Sequence, residues 1–168
     1  SAFAEEAKIL RELRHSNVVT FRRCYFDEQR RICLLMEKVS GEPLDRWAAR
    51  QDRSQSVLDV YDRILGAVDY LHHRTTPFLH LDLKPDNVLV RSTPEGCEPV
   101  IIDFGIARRS GRPGLKAFTP PYGAPEQEAG GALDCSTDVY ALGQMLAELL
   151  EVLDPPLPPD HALRQVAA

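Results

Sequence analysis

Apolar positions divide the chain into segments of different period. Phe3, Ala7, Leu10 and Leu13 recur at helical spacing with Glu and Arg between them, which predicts an amphipathic helix over Ala2–Arg14. Val18–Phe26 and Arg31–Glu37 are dense in β-branched, aromatic and other apolar residues. The charged stretch Asp27–Arg30 joins them, so a hairpin is expected. Gly41-Glu42-Pro43 then interrupts the pattern. Val57, Tyr61, Ile64, Leu65, Val68 and Leu71 form the buried stripe of a helix running from about Ser54 to His72. Phe78–Arg91 reads as a loop carrying a short strand, Val88–Val90. A polar turn, Ser92–Pro99, leads to another short strand at Val100–Ile102. Glycine and proline make Gly105–Pro125 a loop. Asp134–Val152 predicts a last helix, apolar around most of its circumference through Val139, Tyr140, Ala141, Leu142, Met145, Leu146, Leu149 and Leu150. Such a helix requires burial on several sides. Pro155, Pro156, Pro158 and Pro159 mark the tail as an extended linker.

The length of 168 residues fits one domain. At that size one core suffices, since a ~150-residue domain buries about 68–70% of its unfolded surface. With 20 Lys+Arg against 25 Asp+Glu the net charge is −5, which argues against nucleic-acid binding through bulk positive charge. The longest clean apolar run, Ile32-Cys33-Leu34-Leu35-Met36, is far short of the ~18 residues of a membrane span. Ser1–Arg14 is studded with charge and reads as no secretory signal. Cys24, Cys33, Cys97 and Cys135 are scattered without a C-x-x-C pair, so neither a zinc site nor a redox motif is indicated. They read as reduced thiols of a cytoplasmic or nuclear protein, although an even number also permits disulfides. His15, His72 and His73 read as structural or solvated and His161 sits in the tail; none has metal-ligand spacing.

Three segments carry chemistry: His80-Leu81-Asp82-Leu83-Lys84-Pro85-Asp86-Asn87, then Asp103-Phe104-Gly105, then Ala124-Pro125-Glu126. Asp-Phe-Gly alone would be weak. In this order, with strands between them, the three resemble the protein kinase family over nearly all of Phe3 to Val152. The alternative, a solvated loop rich in Asp and Lys, does not account for the order. The resemblance implies an α+β, protein-kinase-like fold. Residues 1–39 would be a remnant of the small lobe, a helix plus a β-hairpin. Residues 40–152 would form a mainly helical large lobe lacking its last helices, and 153–168 a Pro-rich tail.

It also implies ATP and Mg2+ as cofactors and a protein as substrate, because phosphoryl transfer needs positioning and charge neutralisation more than covalent help. Asp82 would accept or orient the proton of the attacking hydroxyl. Asn87 and Asp103 would bind magnesium through oxygen, and Lys84 would reach the transferred phosphate. Lys84-Pro85 and Phe118-Thr119-Pro120-Pro121-Tyr122 resemble the serine/threonine-specific branch, in which Thr119 would contact Asp82 and Lys84. A plain turn threonine is the alternative. By the same resemblance Glu6 would pair with a phosphate-clamping lysine, unless it is a surface glutamate beside Glu5. Met36 would stand behind the adenine, and Glu37 and Val39 would offer it backbone groups. Leu89 would pack under the ring or simply belong to the core. Leu10, Phe21, His80 and Phe104 would form an apolar column between the lobes. Asp138 would hold the catalytic-loop backbone, since a buried aspartate needs a partner.

The chain departs from the family pattern in places. Leu81 replaces an arginine that pairs with a phosphorylated activation loop. Between the second and third motifs the serine and threonine hydroxyls are Ser110 and Thr119, so activity is expected not to depend on phosphorylation there. Arg108, Arg109, Arg112 and Lys116 make that loop basic, which means a solvated loop or a preference for acidic substrates. The sequence holds no glycine-rich loop and no strand lysine ahead of Glu6, and it stops soon after the apolar helix, so it reads as a fragment or a truncated product. A half-covered apolar helix suggests poor solubility or a covering partner. The competing functions are a serine/threonine kinase, a non-catalytic, pseudokinase-like binding module and, less well supported, a small-molecule kinase.

Overall fold

The computed structural model describes residues 10–51, 54–110, 118–153 and 156. The elements in chain order are β1 (Phe21–Phe26), β2 (Ile32–Met36), β3 (Glu42–Pro43), α1 (Leu44–Ala48), α2 (Ser54–His72), β4 (Phe78–Leu79), β5 (Val88–Thr93), β6 (Gly96–Ile101), β7 (Arg108–Arg109), α3 (Pro125–Ala129) and α4 (Cys135–Val152). A single 3-10 turn, Pro85–Asn87, precedes β5. Most of the predicted first helix lies outside the described residues. The chain is helical at Leu10 and turns at 11–12, so Leu13 is buried from a loop and not from a helix reaching Arg14.

β1 and β2 form the expected antiparallel hairpin, with Tyr25↔Cys33 and Phe26↔Ile32 nearest the turn. Its lead-in is stitched to β6. The Val19 N–H donates to the Ile101 carbonyl at 2.9 Å, and Ile101 N–H to the Asn17 carbonyl at 2.8 Å. The Asn17 side chain, 6% exposed, adds a bond to the Pro99 carbonyl at 2.7 Å. A buried amide held this way fixes the hairpin on the large sheet.

β5 and β6 are longer than their apolar cores predict. The pairs Arg91↔Glu98, Ser92↔Cys97 and Thr93↔Gly96 extend the ladder through residues expected to be turn, so only Pro94 and Glu95 remain outside it. Polar residues suit this end because one side of an antiparallel ladder can face water, and Arg91 and Glu98 pair there at 2.9 Å. β3 adds to the sheet through Glu42↔Val90 and Pro43↔Leu89. Gly41 lies against it so closely that a Cβ would sit 2.8 Å from the Val90 carbonyl oxygen.

The short α1 was not expected from the pattern. It seats Leu44 and Trp47, 0% and 4% exposed, in the core. α2 spans the predicted residues. It contacts α4 and β6, and its Val57, Ile64, Val68 and Leu71 lie nearly fully buried in the same core as Met145, Leu146 and Leu149 of α4. Tyr61 donates to the Leu142 carbonyl at 2.5 Å, and its burial pushes the phenol pKa up. α4 starts on an N-cap: Asp134 Oδ1 accepts from Ser136 N–H at 2.8 Å, and bonds from Ser136 hold its carboxyl below the usual range. Val139, Tyr140 and Val152 remain exposed at 57%, 38% and 42%, so the apolar circumference of α4 is only partly covered among the described residues. All four cysteines are free. No helix among the described residues is long and apolar enough to cross a membrane.

Candidate active site

The first motif forms the loop from β4 to β5. Leu81 adopts φ +68, a left-handed conformation that a branched side chain resists. The loop is held there from two helices. Asp138 on α4 is completely buried and takes the His80 N–H on Oδ2 at 2.9 Å and the Leu81 N–H on Oδ1 at 2.8 Å. His72, at the end of α2, also bonds Asp138 Oδ2 through Nε2 at 2.9 Å. From α3, Gln127 Nε2 donates to the Leu81 carbonyl at 2.9 Å, while its Oε1 accepts from Ala124 N–H. A carboxylate receiving charge-assisted bonds is the strong kind of anchor that a strained loop requires.

His80 is completely buried. Its Nε2 lies 3.0 Å from the Ile102 carbonyl, which can only accept, so the proton sits on Nε2. Nδ1 then accepts from Asp82 N–H at 3.3 Å, which makes the ring neutral. Burial holds its pKa below the ordinary value, against an opposing pull from Asp138. The ring meets Phe104 edge-on at 4.8 Å, and Phe104 stacks on Phe78 at 6.1 Å. Leu10, Phe21 and Phe104 lie buried in one core, and His80 extends it to the loop.

Four expected site residues converge. Lys84 Nζ donates to Asp82 Oδ2 at 2.8 Å and to Thr119 Oγ1 at 2.9 Å, and Thr119 Oγ1 donates to Asp82 Oδ1 at 2.8 Å. Asn87 Nδ2 reaches both the Asp82 carbonyl at 2.8 Å and Asp82 Oδ2 at 2.9 Å. Thr119 is thus no ordinary turn residue: it closes a ring with Lys84 and Asp82 from 35 residues away. Asp103 follows one residue after Ile102, whose N–H bonds the Asn87 carbonyl at 2.9 Å. It has φ +60, is exposed, and accepts from Gly105 N–H at 3.1 Å.

Of the remaining expected residues, Met36 ends β2, Glu37 and Val39 follow it, and Leu89 lies in β5. Met36 and Val39 are half-buried against the core. The Glu37 N–H is used internally by the Thr20 carbonyl at 2.9 Å, which leaves its own carbonyl for a ligand. Leu89 is half-buried, in register with Pro43 and Val100. Glu6 lies outside the described residues. Glu126 takes a bond from Thr137 Oγ1 at 2.8 Å. Gln127 is a site-supporting residue that sequence reasoning missed; His72, expected to be structural or solvated, is structural, though its link to the site was not foreseen. Gln127 carried a signal in its place directly after Ala124-Pro125-Glu126. His72 sits at the end of the α2 stripe and gave none.

Residues 1–166 match the family described as the protein kinase domain. The chain belongs to the protein kinase family. It is 34% identical over 158 residues to serine/threonine-protein kinase Pkn1 of Myxococcus xanthus, covering 88% of this chain and 22% of that protein. It is 34% identical over 149 residues to calcium/calmodulin-dependent protein kinase type 1 of Macrobrachium nipponense, covering 86% and 42%. A 31% identity over 174 residues links it to the interferon-induced, double-stranded RNA-activated protein kinase of Rattus norvegicus, covering 88% and 33%. The chain therefore spans well under half the length of these relatives. Protein kinases as a family use ATP and a divalent metal, and the donors present fit magnesium. Asn87 commits its NH2 to Asp82, so its amide oxygen is the atom left for a cation, and the exposed Asp103 supplies a hard carboxylate. No group of three or more His, Cys, Asp or Glu among the described residues is arranged to hold a metal ion by itself. Two oxygen donors without a protein cage suit an ion that keeps water and phosphate oxygens around it.

Proposed function

We propose that this chain carries the catalytic loop of a magnesium-dependent serine/threonine protein kinase, transferring the ATP γ-phosphoryl group to a protein hydroxyl. The observation that supports it most is the closed ring Asp82–Lys84–Thr119, with Asn87 bonded to the same carboxylate. Asp82 orients the incoming hydroxyl and takes its proton. Lys84, already beside that carboxylate, brings a fixed positive charge to the transferred group. Thr119 ties the activation segment to both, which favours a hydroxyl presented on an extended protein segment. Magnesium, held by the Asn87 amide oxygen and Asp103, would neutralise charge on the phosphate oxygens. Met36, Glu37, Val39 and Leu89 are the side of the cleft we assign to adenine, with residues 1–39 as small lobe, 40–152 as large lobe and 153–168 as tail.

The test is phosphotransfer from labelled ATP to serine, threonine and tyrosine peptides, with and without magnesium chelation. Wild type should label serine or threonine peptides only when magnesium is present. Asp82→Asn should lose about 10²–10⁴-fold in rate, the range of general acid–base assistance. Equal labelling by the Asp82→Asn protein would end the proposal. ATP binding without transfer would instead point to a non-catalytic binding module.

A further inference from the structure

Two arginines meet in a cleft that the proposed catalysis does not use. Arg74, just after α2, and Arg109, in β7, line a cleft of about 80 Å³ with Glu12, Leu13, Thr75 and Thr76. Among the described residues neither arginine forms an ion pair; those present involve Arg22, Arg31, Arg50, Arg91, Lys84, His72 and His73. Arg109 Nε is buried with no hydrogen-bond partner. Arg74 is braced by Tyr70: its guanidinium lies 5.2 Å from the ring centroid, and Nη1 makes one long bond to the hydroxyl at 3.4 Å. That bracing occupies one of five N–H donors. Glu12, which is exposed, is the one acidic residue of the lining.

Two guanidinium groups sharing a small cleft repel, and a buried N–H without an acceptor carries an added cost. An anion with several oxygens in the cleft relieves the repulsion between the two guanidinium groups. A phosphoryl group fits best, because its tetrahedral oxygens can accept from two planar forks and two threonine hydroxyls at once. Size permits it, since a single water needs only about 10–15 Å³. Where related kinases place a phosphate-pairing arginine, Leu81 is 5% exposed in an apolar cluster with Leu79 and Leu133. No residue of the catalytic loop lines the arginine cleft.

We propose that the Arg74–Arg109 cleft is a phosphate-binding site that fastens the start of the activation segment to the strand entering the catalytic loop. The connection runs through β7. Arg109 pairs with Phe78 of β4, the Ser110 N–H bonds the Pro77 carbonyl at 2.9 Å, and β4 leads directly into His80. An anion between Arg109 and Arg74 would clamp this short two-residue pairing from the outside.

The test is thermal unfolding of the full chain titrated with inorganic phosphate at ionic strength held constant with sodium chloride. A saturable rise in Tm is expected. Arg109→Gln and Arg74→Gln should each weaken apparent affinity about tenfold or more, the loss of one charge-assisted contact. Glu12→Gln should tighten binding, because it removes a carboxylate beside the anion, an effect that mere structural damage would not give. O-phosphoserine in place of inorganic phosphate names the source: tighter binding marks a phosphorylated side chain, equal or weaker binding marks the free ion. The proposal falls if wild type shows no saturable shift or if Glu12→Gln leaves affinity unchanged. It also falls if Lys84→Gln abolishes the shift while both arginine variants keep it, which would place the anion at the catalytic loop.

Discussion

Asp138→Asn is the sharpest perturbation of the fold that positions the site. The carboxylate is completely buried and accepts from two backbone N–H groups and one imidazole, at 2.8 to 2.9 Å. Asparagine keeps the shape but offers one oxygen. Its NH2 would face either the Leu81 N–H or the pair formed by His80 N–H and His72. At least one buried donor loses its acceptor, which costs about 1.5–3 kcal/mol for a bond to a charged group. The left-handed Leu81 loses support at the same time, and such a conformation costs of order 1–3 kcal/mol when nothing compensates it. The expected loss is therefore about 3–5 kcal/mol, the range found on breaking a buried charged contact. Domains hold only about 5–15 kcal/mol in total. Urea unfolding reads this directly: with m of about 2 kcal/mol/M the midpoint should fall by about 2 M. Val139→Ala, next along the helix and 57% exposed, serves as control and should stay within about 0.5 kcal/mol. A loss below about 1 kcal/mol for Asp138→Asn would refute the anchoring argument.

His80 predicts a pH dependence. Its folded pKa lies below the ordinary 6.5, so below that pH the unfolded chain binds the proton more readily than the fold does. Its contribution is present above 6.5 and is lost as pH falls toward the folded pKa. Between about pH 7 and 5.5, His80→Phe should lose less Tm than wild type, and equal losses would contradict the assignment. At Gly41 an added Cβ would meet the Val90 backbone, which has no side-chain freedom to move aside. Gly41→Ala should destabilise by about 1–3 kcal/mol in the same urea assay, and a neutral result would mean that the contact relaxes.

Long periodic segments were legible in the sequence. The 19-residue helix α2 encloses its whole apolar stripe, and every residue of that stripe except the 40% exposed Leu65 is buried. The hairpin β1–β2 was legible for a similar reason. What failed was short or polar. α1 has five residues, too few to show a period, and its burial depends on Trp47 reaching a core built mainly by later segments. The outer halves of β5 and β6 are polar because they are half-solvated, so they looked like turn. The site divided the same way. Asp82, Lys84 and Asn87 are written in one contiguous motif, and the fold keeps them together. Their supports were visible only where a residue looked out of place, as Asp138 does in an apolar helix. His72 and Gln127 are ordinary in their local sequence, and their roles arise from contacts 66 and 46 residues away.

The β5–β6 hairpin has two unlike ends. At one end Asn87 and Asp103 flank the closing pair Val88↔Ile101, so the separation of the two proposed metal ligands is a property of strand register. At the other end lies a two-residue reversal, Pro94 and Glu95, six ladder positions away. Register is locked at the site end by the Asn87–Ile102 and Asn17–Ile101 bonds, independently of the turn. The reversal is thus free to vary in length without dragging the chemistry along. It is the natural port in this domain for an inserted loop, a tag or an evolutionary elaboration, because the hairpin transmits no slack from its tip to its base.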